Sequence, residues 1–478
     1  MASLYVFGIG GTGSRVIKAL TMLLAAGSSI NGYELVPIII DPDEANGDVT
    51  RTIDILKNYQ HIRNNLSFTN ADDNRFFNTP VKNVTQNFKL ALSDVNGERF
   101  KDYIQYRSLD ENNKALISLL FSEDNLEADM EVGFKGNPNI GSVVLNQFTH
   151  SQDFKSFAAA FGQNDRIFII SSIFGGTGAA GFPLLLKNIR DADGSLGNIK
   201  LLQDAPIGAI TMLPYFSVAH DDNSKIDKTS FISKTKSALG YYEKNINQNN
   251  TLNALYYAGD DISKNYDNNE GSVYQKNEAH FLELAAATAI IDFAQMPATA
   301  VETINGRAVN PVYKEFGIKA DKPSIIFDDL GFATQFIKKP LTQYLLFTLY
   351  QKNKLQQSTD QNWAKELNMN TFLTQPFLAA HIRAFNQYYL EWLTEMASNQ
   401  RSFSPYNLNA NDDNLFDMVK GITPHVSFME RGGKNYQRYN FMLSKELDRL
   451  KKNDVQEQQF MNLFYNTTEK LVSEKYKF

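Results

Sequence analysis

Four short apolar runs, most of them followed closely by glycine or aspartate, mark the first 212 residues. They occupy residues 3–7, 35–40, 167–173 and 205–212. A continuous apolar run bounded by turn residues is typical of a strand buried on both faces of a parallel sheet. Residues 14–26 instead repeat apolar positions at helical spacing, which predicts a helix with one buried face. Strand, helix and strand in this order predict a βαβ unit, and we therefore expect an α/β fold with a Rossmann-like parallel sheet.

The pattern changes in the second half of the chain. Residues 278–295 are apolar on most faces of a helix, which predicts a central helix buried in the protein. Beyond it the periodicity is mainly helical, and the last stretch carries one apolar stripe between charged residues. We expect an α/β domain over residues 1–297, which includes the central helix. A mostly helical C-terminal domain over residues 298–478 should end in an amphipathic helix.

Composition narrows the class of protein. A chain of 478 residues with 43% hydrophobic and 21% charged residues is globular and long enough for two or three domains. Its net charge of −6 argues against a nucleic-acid partner held by bulk charge. It has no cysteine, its six histidines show no metal-ligand spacing, and no apolar run reaches the roughly 20 residues of a membrane span. With no signal-peptide pattern at the N-terminus, a cytoplasmic protein is expected.

A first glycine-rich loop follows the first predicted strand. Residues 8–13 read G-I-G-G-T-G, which matches the G-x-G-x-x-G spacing of dinucleotide-binding loops. Glycine lets the backbone approach a ligand closely, and the following helix presents unpaired N–H groups and a positive dipole end. Asp41 and Asp43 follow the second strand, where a ribose-binding carboxylate is expected. Alone, these features suggest an NAD(P)-dependent Rossmann oxidoreductase.

A second glycine-rich loop follows the strand predicted over residues 167–173. It consists of Gly175, Gly176, Thr177 and Gly178, and it leads directly into another helix. The dinucleotide hypothesis does not predict it. Two phosphate-type loops on parallel strands of one sheet suggest that both hold the same polyphosphate, with a hydroxyl contact from Thr177. The alternative is that these glycines serve close packing of helix on sheet.

Taken together, these motifs resemble the tubulin/FtsZ superfamily of GTPases, in a divergent prokaryotic form. Residues 174–181 read F-G-G-T-G-A-A-G, similar to the family signature G-G-G-T-G-[ST]-G but with Phe at its first glycine and Ala-Ala-Gly at its end. Residues 133–141 resemble the γ-phosphate loop of FtsZ, and Asn277 resembles the asparagine that contacts guanine. The matches occur in family order over about residues 3–295.

The resemblance implies GTP or GDP with Mg²⁺, bound at the carboxyl ends of the strands. It implies no direct protein ligand for the metal, although Asp43 would reach it through water. The residues expected to bind the nucleotide are Gly10, Gly11, Thr12, Gly13, Asp41, Asp43, Gly136, Asn137, Gly175, Gly176, Thr177, Gly178 and Asn277.

The resemblance also implies head-to-tail self-association, with GTP hydrolysis completed across the subunit interface. The family's catalytic loop is not recognisable here, since residues 296–302 read M-P-A-T-A-V-E. Asp328 and Asp329 are the candidate catalytic carboxylates, displaced by an insertion. The sequence therefore leaves open whether this protein hydrolyses GTP. Besides the GTPase and the oxidoreductase, a third hypothesis is a structural subunit that binds nucleotide without hydrolysing it. The terminal amphipathic helix is the candidate for docking a protein partner.

Overall fold

A computed structural model describes every residue of the chain except 44, 70–73, 94, 96, 131–133, 135–136, 193–195, 219–227, 261–263, 267–275, 319–321, 413, 427–433 and 451–453. The strands are β1 Ser3–Ile9, β2 Glu34–Ile40, β3 Arg166–Ser172, β4 Ile207–Met212, β5 Phe216–Val218, β6 Ala254–Ala258, β7 Lys264–Tyr266, β8 Thr303–Ile304, β9 Arg307–Ala308, β10 Val312–Phe316, β11 Ser324–Ile325 and β12 Ser402–Phe403. The α-helices are α1 Gly10–Ala25, α2 Gly47–Arg63, α3 Phe100–Tyr103, α4 Glu111–Leu120, α5 Glu123–Leu126, α6 Pro138–Val144, α7 Gln152–Ala160, α8 Gly176–Arg190, α9 Ile199–Gln203, α10 Lys228–Tyr242, α11 Phe281–Gln295, α12 Thr334–Asn353, α13 Asn362–Glu366, α14 Met369–Phe372, α15 Arg383–Ser398, α16 Asn435–Leu447 and α17 Gln456–Tyr476.

Six parallel strands form the main sheet, in the order β10-β6-β4-β3-β1-β2. Every residue of β1 and β3 is buried, as a continuous apolar run in a parallel sheet predicts. Gly8 near the end of β1 pairs with Ile39 in β2 and with Ile170 in β3. The carboxyl ends of these three strands are therefore level, and the segments that follow them leave the sheet at one edge.

The sheet extends further on both sides than the apolar runs predict. Beside β2, single parallel backbone pairings join Leu35 to Val81 and Ile39 to Lys89. At the opposite edge, β10 pairs with β6 although it follows the central helix in the chain. The main sheet thus includes a strand from beyond residue 297.

The central helix is α11, and it lies against α1, β4 and β6. Nearly all of its side chains are buried, as its apolar sequence predicts. It begins at Phe281 rather than at residue 278 because His280 occupies the N-cap position. The side chain of His280 accepts a hydrogen bond from the backbone N–H of Leu282, and Glu283 bonds back to the backbone N–H of His280.

Beyond residue 331 the chain is mainly helical, and its core is built on α12, α15 and α17. The α/β fold with a Rossmann-like sheet, a central helix and a helical C-terminal part is therefore confirmed. The docking role expected of the terminal helix stays a prediction, and most of the helix is buried. Ser473 is the one exposed residue of α17, because polar residues such as Thr467 and Thr468 are buried together with the apolar stripe against α12 and α16.

Candidate functional site

The two glycine-rich loops meet at the carboxyl edge of the sheet. Gly10, directly after β1, has a φ of +73°, a conformation that favours glycine. A Cβ atom placed on Gly10 would lie 3.6 Å from the Cβ of Thr177 and 3.9 Å from the backbone nitrogen of Gly178. The first and second loops are therefore adjacent, as expected if they hold one ligand.

Both loops lead straight into a long helix whose N-terminus has no side-chain cap. The N-cap residues are Ile9 for α1 and Gly175 for α8, and neither provides a side-chain hydrogen bond to the helix. The first-turn N–H groups of a helix have no partner within the helix, and the dipole makes this end positive. Two such ends side by side form a surface suited to an anion.

Three glycines of these loops are required by packing instead. A Cβ on Gly13 would lie 2.5 Å from the carbonyl carbon of Gly8, because α1 crosses directly over the end of β1. A Cβ on Gly178 would lie 2.7 Å from the carbonyl oxygen of Ser172, because α8 crosses the end of β3 in the same way. The alternative of close helix–sheet packing thus accounts for Gly8, Gly13 and Gly178, whereas Gly10 and Gly11 have space around them.

The Asn-Pro segment approaches the second loop from outside the sheet. Asn137 is the N-cap residue of α6 and makes no side-chain cap bond. A Cβ on Gly141, one turn later, would lie 2.9 Å from the carbonyl oxygen of Gly176. The predicted γ-phosphate segment therefore adjoins the second loop, although Gly136 lies outside the described residues.

The two aspartates after β2 are buried and bond within their own loop. Asp41 accepts hydrogen bonds from the backbone N–H of Asp43 at 3.0 Å and from the Nδ2 of Asn46 at 3.4 Å. Asp43 accepts one from the backbone N–H of Ala45 at 3.0 Å. Burial raises the pKa of Asp41 to about 7. The hydrogen bond from the backbone N–H of Asp43 opposes this rise in pKa, while the charge of the Asp43 carboxylate adds less strongly to it. The structure thus gives Asp41 and Asp43 a role in shaping this loop.

Asp41 should make the protein less stable as the pH rises from about 4 to about 7. Across that window the carboxyl is ionised in the unfolded chain but still protonated in the folded protein, so folding takes up a proton. The slope from one such group is at most ~1.4 kcal/mol per pH unit. Urea unfolding of the wild type and of Asp41→Asn at several pH values measures this slope. The free energy of unfolding of Asp41→Asn should fall less steeply with pH, and equal slopes in both proteins would contradict the raised pKa of Asp41.

A cluster of six charged side chains lies directly behind the first loop. Its members come from α1, α2, α11 and α15, and their exposed fractions range from 0% to 18%. The cations balance the carboxylates three to three, and charges buried this deeply are normally retained only when they are paired. We call the set the charge cluster: Arg15, Lys18, Arg51, Asp48, Glu283 and Glu395.

Arg15 is the centre of the charge cluster. Its Nη1 lies 2.8 Å from Asp48, and its Nε lies 2.5 Å from Glu283 in the central helix. Its Nη2 donates to the hydroxyl of Tyr215 at 3.0 Å and contacts the hydroxyl of Thr12 in the first loop at 3.3 Å. One guanidinium thus joins the first loop, α2 and the central helix.

Glu395 brings the C-terminal helices into the same cluster. It accepts bonds from Arg51 at 2.5 Å, from Lys18 at 3.4 Å and from the backbone N–H of Ala279 at 2.8 Å. Burial lowers the pKa of Lys18, and Glu395 opposes that shift. For Glu283, burial alone would raise the pKa, but Arg15 and Lys18 outweigh it and hold the pKa below its usual value.

Asn277 lies at the edge of the charge cluster. Its backbone N–H donates to Asp48 at 3.0 Å and its side-chain Nδ2 donates to the same carboxylate at 3.1 Å. Arg51 donates to the carbonyl oxygen of Asn277 at 2.6 Å. The backbone N–H and one N–H of the side-chain amide of Asn277 are therefore engaged within the protein, and its contact with guanine stays a prediction.

The candidate catalytic aspartates lie in the turn that precedes α12. Asp329 accepts a hydrogen bond from the backbone N–H of Ile326 at 3.0 Å and pairs with Lys322 at 2.5 Å. Burial would raise the pKa of Asp329, but these two bonds lower it below its usual value. Asp328 pairs with Lys338 at 3.3 Å and is largely exposed. Their catalytic role stays a prediction.

Sequence reasoning overlooked the charge cluster, although the chain carried a signal. Arg15 and Lys18 stand in the otherwise apolar α1, and Glu283 stands in the apolar α11. A charged residue on a helix buried on all sides needs a partner in the folded protein. The identity of the partners is not readable, because Arg15 and Glu283 are 268 positions apart.

The described residues contain no group of three or more His, Cys, Asp or Glu side chains arranged to hold a metal ion. Among the same residues, no helix combines the length and apolarity needed to cross a membrane.

Comparison with known proteins finds likeness to solved structures alone, since no protein-family model and no curated protein matches this chain. A GTPγS-bound protofilament of CetZ2 from Haloferax volcanii matches at 11% identity and a TM-score of 0.31, covering 62% of this chain and 59% of its own. CetZ from Methanosaeta thermophila matches at 16% identity and a TM-score of 0.23, and the match covers 62% of this chain and 52% of the CetZ chain. An empty FtsZ dimer from M. jannaschii matches at 14% identity and a TM-score of 0.28, and the match covers 61% of this chain and 53% of the FtsZ chain. This chain therefore spans between half and three-fifths of these structures, and matches this weak carry no argument about its function.

Proposed function

We propose that this chain is a tubulin/FtsZ-like protein that binds GTP or GDP with Mg²⁺ where the two glycine-rich loops meet. The observation that carries the proposal is the closeness of these loops, since even a single methyl group on Gly10 would meet Thr177 and Gly178 within 3.9 Å. Two uncapped helix ends at one place suit a chain of phosphates, whereas a single dinucleotide loop would need one of them.

The loop backbones would supply most of the phosphate contacts. The first-turn N–H groups of α1 and α8 face this edge of the sheet, and Thr177 adds a hydroxyl beside Gly10. Mg²⁺ would be held mainly by phosphate oxygens and water, as it usually is in nucleotide sites. Asp43 would act on that water shell from its loop, consistent with its bond to Ala45.

The protein would assemble head to tail with copies of itself in the cytoplasm. A contact between two different surfaces of the same chain need not close on itself, and repetition then builds a filament. Asp328 and Asp329 of one subunit would complete GTP hydrolysis at the nucleotide of the next. The assembly would thereby depend on nucleotide turnover.

A second candidate is a subunit that holds the nucleotide without hydrolysing it. The observation in its favour is that Asp329 is already committed to Lys322 and to the backbone N–H of Ile326. A carboxylate held in this way is poorly placed to orient water. The oxidoreductase hypothesis has less support, since the oxygens of Asp41 are bonded within their own loop.

Purified protein should release GTP or GDP when it is denatured, and it should pellet on centrifugation when GTP and Mg²⁺ are added. Phosphate release per chain should rise with protein concentration, because a neighbouring subunit completes the reaction. Guanine nucleotide in the extract with no phosphate release at any concentration would favour the second candidate. NAD(P) in the extract, or no nucleotide at all, would overturn the proposal.

A further inference from the structure

A cleft of about 800 Å³ opens between α2, α12 and α15, away from the glycine-rich loops. Its size lies within the range of ligand pockets, about 300–1,000 Å³. Six Asn and Gln side chains make its walls strongly polar. Its charged lining consists of four cations and two carboxylates: Arg51, Lys276, Lys352, Arg383, Glu391 and Glu395.

The positive charge of the cleft is not neutralised from within. Among the described residues, the side chains of Lys276, Lys352 and Arg383 form no ion pair or hydrogen bond. Of the two carboxylates, Glu395 is already shared by Lys18, Arg51 and the backbone of Ala279. A concave surface that carries excess charge of one sign concentrates ligands of the opposite sign, here on a chain whose net charge is −6.

Arg51 adds a second and independent sign of a missing ligand. Its side chain is 10% exposed, and its two terminal nitrogens bond to Glu395 and to the carbonyl of Asn277. Its Nε is buried and has no hydrogen-bond partner among the described residues. A buried donor of a charged group is costly to leave unpaired, and an anionic oxygen would satisfy it.

We propose that this cleft binds a small multivalent anion, a molecule with several phosphate or carboxylate groups. Arg51 would hold one anionic group at the inner end, while Lys276, Lys352 and Arg383 hold others nearer the mouth. The carboxamides would bond to the remaining polar atoms, since each amide both donates and accepts. Because Arg51 belongs to the charge cluster, the ligand would sit at the opposite end of that cluster from Thr12.

Isothermal titration of the full chain with sodium tripolyphosphate tests this proposal. The titration is run without magnesium and with excess GDP, which keeps the probe away from the glycine-rich loops. One saturable site is expected, with affinity at least about tenfold lower in the double variant Lys352→Gln, Arg383→Gln. Lys57→Gln, an exposed position of α2 outside the cleft, should bind as the wild type does. Absent saturation, or equal affinity in the double variant, would overturn the proposal.

Two further measurements identify which anionic groups the cleft binds and where the probe binds. In a parallel titration with citrate, binding of tripolyphosphate alone indicates phosphate ligands, and comparable binding of citrate indicates carboxylate ligands. Acetylation of the wild type, followed by mass spectrometry, locates the bound probe without any substitution. Tripolyphosphate should protect Lys276 and Lys352 but not Lys57, and uniform protection of all three would contradict the site. The double variant and the protection of Lys276 and Lys352 assign the probe to the cleft even if GDP does not occupy the glycine-rich loops.

Discussion

Replacing Arg15 with methionine should lower the free energy of unfolding by about 3–5 kcal/mol and abolish nucleotide binding. The substitution keeps much of the side-chain volume but leaves Asp48 and Glu283 buried without their shared cation. Removing one partner of a buried ion pair costs more than the pair contributes, because the remaining charge cannot regain its hydration. Thr12 would lose its contact with Arg15 at the same time, so the first loop would lose a support. Urea unfolding and titration with a fluorescent GTP analogue measure the two effects.

The pH dependence distinguishes this mechanism from a simple loss of packing. Arg15 helps hold the pKa of Glu283 below its usual value. In Arg15→Met that pKa rises, so the folded variant takes up a proton more readily and its stability deficit should shrink as the pH falls from 8 to 5. Adding Glu283→Gln to Arg15→Met should recover part of the loss. A deficit that is constant with pH, or that the second substitution deepens, would contradict the electrostatic account.

Arg107 provides a matched control for the substitution of arginine. It is exposed, and it forms no ion pair with any residue that the structure describes. Arg107→Met should therefore change the free energy of unfolding by no more than about 0.5 kcal/mol and leave nucleotide binding unchanged. If Arg107→Met lowered the free energy of unfolding and nucleotide binding as much as Arg15→Met does, the loss would follow from replacing any arginine and not from disrupting the charge cluster.

Local pattern was sufficient to predict the sheet, the loops and the central helix. Buried parallel strands are apolar throughout, so β1, β2 and β3 are visible as runs, and α11 is visible because its apolar residues cover the whole helix. β10 was not visible as a strand of the main sheet. Its sequence V-Y-K-E-F is exposed over its middle three residues, as an edge strand allows, and nothing local indicates that β6 is its neighbour.

The site was only partly predictable, for a different physical reason. Glycine is required both where a backbone approaches a ligand and where a helix crosses a strand. Because both requirements select the same residue, the sequence does not distinguish them. Only the distances separate Gly10, which adjoins the second loop, from Gly13 and Gly178, which have no space for a side chain. The charge cluster is determined by long-range partners, and Glu395 lies 344 positions from Arg51.

The same distances predict opposite results for two substitutions on the first turn of α1. Gly13→Ala should cost about 3 kcal/mol or more, because its Cβ would lie 2.5 Å from backbone atoms of Gly8, which no side-chain rearrangement can move. Gly11→Ala should fold normally, since its Cβ would meet nothing closer than 3.6 Å. Alanine also favours a helix over glycine by up to about 1 kcal/mol, so Gly11→Ala could gain stability.

Thermal and urea unfolding of the two variants side by side measure this difference. Each replaces glycine with alanine in the same helix, so changes in the unfolded chain are nearly equal and cancel in the comparison. The difference between the two changes in the free energy of unfolding therefore reports the closeness of α1 to β1. Equal stability of the two variants would mean that α1 stands further from the strand end, and the first loop could then not bring its N–H groups against the second. Strong loss in Gly13→Ala alone would support the close crossing that places both helix N-termini at one edge of the sheet.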